Sequence, residues 1–132
     1  MKRSNLTKRK FCILSKNEIS SLSEFISLSI NDTVKDLSYS NFSISELEKY
    51  SPDAIIIDDY YTKCNYSIII DSIIHKFPDT QVYVISPKYS EYNNVRSSCN
   101  SKNHYFSNLN ENILQLINST QVADPSTYLT AC

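Results

Sequence analysis

A chain of 132 residues with a formal charge of −1, 41% hydrophobic residues and 20% charged residues has the size of a single domain. It is long enough to bury about two-thirds of its unfolded surface. So balanced a charge names no nucleic-acid or membrane partner, and the absence of any glycine excludes both the Walker A loop and the GxGxxG fingerprint.

The four cysteines, Cys12, Cys64, Cys99 and Cys132, fall in no metal-ligand spacing, and His75 and His104 stand far apart. Neither a disulfide framework nor a zinc site is expected. No apolar run approaches the ~20 residues of a membrane span and no leader-like run opens the chain. The expectation is a soluble, reduced, cytoplasmic protein without membrane contact. Without glycine, every left-handed backbone position must be filled by Asn, Asp or a strained residue.

In chain order, "MKRSNLTKRK" carries Lys2, Arg3, Lys8, Arg9 and Lys10 and no acid, so residues 1–9 read as a flexible basic arm. "FCILS" (11–15) is a continuous apolar run, the pattern of a strand covered on both faces. "NEISSLSEFISLSI" places Ile19, Leu22, Phe25, Ile26 and Ser29 on one helical stripe. "TVKDLSY" (33–39) is a weaker strand. "SISELEKY" has capping-box spacing at Ser43/Glu46 and again at Ser45/Glu48, and Pro52 ends it. "AIIID" (54–58) is a buried strand ending on two carboxylates, Asp58 and Asp59. "YSIIIDSIIHKF" favours a helix by length and context although isoleucine is a poor helix former. "QVYVIS" (81–86) and "HYFS" (104–107) are strands on either side of the polar, weakly helical "SEYNNVRSSCNSK". "NENILQLIN" closes the domain with Ile113, Leu116 and Ile117 on one face. Residues 120–132 read as a linker or tail. The alternation predicts an α/β protein with a doubly wound parallel sheet and any ligand site at the carboxyl ends of its strands.

"PDAIIIDDYYTKCNY", "KFPDTQVYVIS" and "HYFSN", in this order and at these spacings, resemble the receiver domain of the response-regulator superfamily from about Arg9 to Ser119. The resemblance implies a CheY-like (βα)5 fold with strand order 2-1-3-4-5. It places Asp58 at the phospho-acceptor position, Ser86 at the hydroxyl-bearing switch and Tyr105 at the aromatic switch. Receivers hold Mg²⁺ with an acidic pair after the first strand and contact phosphate with a lysine after the fifth. Those positions are Ser15, Lys16 and Asn108 here, leaving Asp58 and Asp59 on opposite faces of a strand. A hard cation needs carboxylate oxygens, so no Mg²⁺, other metal or cofactor is expected and Asp58 is not expected to accept phosphate. Lys16 either pairs with Asp58 where the metal would sit or is a solvated surface lysine. Ser86 either switches or caps a turn, and Tyr105 is either a switch or an ordinary strand aromatic.

Two functions from different classes follow. "HKFPDTQVYVIS" is most similar to the receivers of LuxR/NarL-type transcription regulators, and "YLTAC" resembles the opening of their helix-turn-helix domain. The resemblance then implies a phosphorylation-independent regulatory domain that pairs with itself or with another regulator. DNA would be bound only through a C-terminal domain outside these residues. The alternative is a stand-alone pseudo-receiver, a protein–protein interaction module. In both, Tyr89, Tyr92 and Tyr105 are the candidate interface. No nucleophile–base pair marks an enzyme.

Overall fold

The computed structural model describes residues 8–16, 21–26, 32–40, 42–59, 67–87 and 103–122. Five strands, β1 (Lys10–Ser15), β2 (Thr33–Ser38), β3 (Ala54–Asp58), β4 (Gln81–Ile85) and β5 (His104–Ser107), form one sheet in the order β2-β1-β3-β4-β5. Every pairing is parallel. This is the CheY-like doubly wound order, with β2 and β5 at the edges. Among the described residues there are three α-helices, α1 (Ile44–Tyr50), α2 (Ser67–Lys76) and α3 (Glu111–Asn118), and a 3-10 helix at Ser21–Phe25.

The apolar runs are continuous because both faces of the sheet are covered. On one face Cys12, Leu14, Ile55, Ile57, Val82 and Val84 pack against Leu47 of α1 and Ile70, Ile73 and Ile74 of α2. On the other, Phe11, Ile13, Ala54, Ile56, Tyr83 and Ile85 pack against Leu22 and Ile26 and against Ile113 and Ile117 of α3. In α2 this burial outweighs the weak helix propensity of isoleucine, since Ile70, Ile73 and Ile74 share one face at helical spacing.

Local chemistry sets the ends of the helices. Ser43 caps α1, its side chain accepting from the Glu46 amide at 3.4 Å, so the first of the two capping-box spacings is the one used. The helix ends at Ser51 with φ 53° and ψ 61°. A serine, neither Asn nor Asp, thus takes the left-handed position that glycine would fill elsewhere, and its hydroxyl donates to the Glu48 carbonyl at 3.1 Å. Asn110 caps α3 by accepting from the Ile113 amide at 3.0 Å.

Three expectations change. The segment after β1 is a 3-10 turn where described, which suits a serine-rich stretch whose hydroxyls compete for backbone groups. Phe25 is 50% exposed while Leu22 and Ile26 are buried. Leu116 is likewise 40% exposed, and α3 buries Ile113 and Ile117 instead. The polar stretch 90–102 lies outside the described residues. No helix among the described residues is long and apolar enough to cross a membrane.

The amino-terminal pole is fastened by Arg9. Its guanidinium donates to Asp32 Oδ2 from Nε (3.1 Å) and Nη2 (2.7 Å), and from Nη1 to the Asn118 carbonyl at 2.7 Å. The entries of β1 and β2 are thereby joined to the end of α3, where a cation also complements the helix dipole.

Candidate functional site

The strands end together at the carboxyl edge. Ser15 lies opposite Ser38, Asp58 opposite Ile85, and Ile85 opposite Ser107. Leu14 pairs with Ile57, so the next residues along, Ser15 and Asp58, stand side by side. Ser15 follows Ile13 by two positions and Asp58 follows Ile56 by two, which puts both on the α3 face of the sheet. Asp58 is therefore flanked in its row by Ser15 on one side and by the apolar Ile85 on the other.

One residue further along, the backbone ladder continues. The Tyr39 amide donates to the Ser15 carbonyl, Asp59 to Ile85 and Ser86 to Ser107, each at 2.9 Å. This second row is Tyr39, Lys16, Asp59, Ser86 and Asn108, and alternation turns it to the α1/α2 face. Asp59 and Ser86 are fully buried, Ser15 is 5% exposed, and Asp58 is half-buried. Lys16 and Asn108 are exposed.

The expected site residues thus gather at one edge. Ion pairs join Arg9 to Asp32, His75 to Asp71 and Lys76 to Glu48, and Lys16 is exposed. The Lys16 side chain is solvated, which spares the ammonium the cost of burial. Tyr105 is half-buried and packs inward on the α3 face, its ring stacked on Tyr83 with centroids 5.2 Å apart and planes 12° apart. Tyr89 and Tyr92 lie outside the described residues.

Tyr39 belongs to this edge and no local signal marked it. Its phenol donates to the Asp58 backbone carbonyl at 3.1 Å, reaching from β2 past β1 to β3. The sequence shows only an aromatic at the end of a weak strand; its reach depends on β1 lying between β2 and β3.

The donor set does not fit Mg²⁺. The two carboxylates occupy successive rows and opposite faces, and the neighbours that would complete an oxygen shell are a serine hydroxyl and an ammonium-bearing side chain. No group of three or more His, Cys, Asp or Glu residues that could hold a metal ion occurs among the described residues. What the edge offers is a half-buried carboxylate beside Ser15, on a residue whose backbone carbonyl the Tyr39 phenol holds. Comparison with protein-family models, with curated proteins and with solved structures finds no match to this chain.

Proposed function

We propose that the chain is a phosphorylation-independent, receiver-like regulatory domain of a LuxR/NarL-type transcription regulator, serving as its dimerisation or pairing half. The partner is a second copy or another regulator, and DNA contact belongs to a C-terminal helix-turn-helix domain. One observation carries the reading. On a parallel sheet of order 2-1-3-4-5, Asp58 ends the central strand between Ser15 and Ile85, with the exposed Lys16 and Asn108 at the positions where phosphotransfer would need an acid and a lysine. The fold's reaction edge is kept, and the charges that make Asp58 a nucleophile toward phosphate are replaced. A domain of this kind acts through its surface, in a state set without phosphate.

Incubating the protein with acetyl phosphate and Mg²⁺, then measuring intact mass and sedimentation, tests this. The expected result is no phosphoryl adduct and no change in sedimentation. A stoichiometric adduct on Asp58 would overturn the reading.

A further inference from the structure

Tyr83 is 2% exposed in the middle of the sheet, yet its hydroxyl reaches the end of the last helix. The phenol lies 3.1 Å from the Leu116 carbonyl, 3.4 Å from Gln81 Oε1 and 2.9 Å from Thr120 Oγ1. A phenol has one hydrogen to donate. It donates to the Leu116 carbonyl, the shorter of its two acceptor-only contacts, and accepts from the Thr120 hydroxyl. The same ring stacks on Tyr105 of the edge strand, almost parallel to it.

Thr120 is where the chain leaves the core. It is 6% exposed, whereas Gln121 and Val122 are exposed. Tyr83 holds its side chain, and Arg9 Nη1 reaches its carbonyl at 3.5 Å and that of Asn118 at 2.7 Å. The exit is thus fastened by two side chains, and one of them is in flat contact with a half-buried residue on the sheet edge.

We propose that Tyr105, Tyr83 and Thr120 form a relay in which displacement of the Tyr105 ring at β5 releases the end of α3 at Thr120. The stacked ring fixes the plane of Tyr83. When it moves, Tyr83 gains freedom to tilt, and the tilt is largest at the hydroxyl, the far end of the side chain. The bonds to Leu116 and Thr120 tolerate little displacement before they weaken. The element with two arrangements is the residue pair 119–120, docked or released. The inference rests on the regulatory reading for its use, since a partner covering the β5 edge would be sensed where the chain continues. It does not rest on that reading for its geometry, so it is tested on the free chain.

Amide hydrogen exchange by NMR, on the wild type, Tyr83→Phe, Tyr105→Leu and the double variant, reads the relay. The Ser119 and Thr120 amides donate to Gln115, Leu116 and Ile117 carbonyls and report docking. Tyr83→Phe should speed their exchange by about fivefold to tenfold, the value of roughly one hydrogen bond. Tyr105→Leu should speed the same two amides although it touches neither, and the double variant should go no further than Tyr83→Phe alone. The Ile13 and Ile56 amides should keep their rates. Thr120→Val probes from the other end and should shift the Tyr105 ring resonances, because coupling is reciprocal. Unchanged Thr120 exchange in Tyr105→Leu, additive effects in the double variant, or equal acceleration of all amides would each overturn the relay. The result is separable from the phosphorylation test: an Asp58 adduct would leave the relay standing, and failure of the relay would leave the mass result untouched.

Discussion

Arg9 is the residue with the largest number of described jobs relative to its place in the chain. It meets Asp32 through Nε, Nη2 and its own backbone amide, caps the Asn118 carbonyl, and lays its guanidinium over the Phe11 ring at 5.1 Å. The Asp32 side chain is 1% exposed and that of Arg9 17%, so the pair is close to fully desolvated. Removing one partner leaves a buried charge, and Arg9→Ala should cost about 3 kcal/mol in urea unfolding. Arg9→Lys should fall between, since an ammonium cannot reproduce the planar fork. A loss under about 1 kcal/mol for the alanine variant would class the pair with exposed ion pairs. Nothing local announced this contact. A charge run such as Lys8-Arg9-Lys10 reads as solvated, and the partners lie 23 and 109 positions away. Asp58 and Ser86 were legible for the opposite reason: the apolar runs that make their strands also fix where those strands end.

Among the elements, β5 depends most on its surroundings. All four of its residues are half-buried, and it pairs only with β4. His104 anchors it to the end of α2, with Nε2 3.3 Å from the Phe77 carbonyl; the neutral ring donates there. Burial lowers the His104 pKa from its ordinary 6.5, His75 adds to that, and the Phe77 hydrogen bond opposes it. The native state therefore takes up a proton less readily than the unfolded chain. The His104 contribution is complete above about 6.5 and is lost as pH falls through the lowered native value. Urea midpoints measured between pH 7 and pH 5.5 should decline in the wild type, and the decline should shrink in His104→Gln. An equal decline in both would assign it to other groups. The strands β1, β3 and β4 were legible because each is a continuous apolar run closed by polar residues. The first helix was not, since in "NEISSLSEFISLSI" the stripe is helical while the serines favour competing local hydrogen bonds.

For the molecule as a whole, the doubly wound parallel sheet could be anticipated because βαβ alternation leaves few right-handed ways to wind it, while the order of its strands was what the resemblance to receivers implied. The order also decides what is most protected. β1 lies between β2 and β3 with helices over both faces, and Cys12 sits within it at 0% exposure. Burial pushes its thiol up to about 12, with Lys35 opposing and Asp36 adding. Near pH 8 the native thiol is thus almost wholly protonated as well as inaccessible, and thiolate is the reactive form. A local opening that exposed Cys12 would have to break pairings on both sides of β1, which amounts to dismantling the sheet. In a variant with Cys64, Cys99 and Cys132 replaced by serine, alkylation of Cys12 should proceed only through global unfolding. Its rate in dilute urea should rise with the same denaturant dependence as the global equilibrium. In water it should fall below the unfolded-chain rate by roughly the folding constant, 10³-fold or more. A rate insensitive to low urea would reveal a local route to the centre of the sheet. Against a fold closed on both faces, that result would locate the weak point in the contacts around β1.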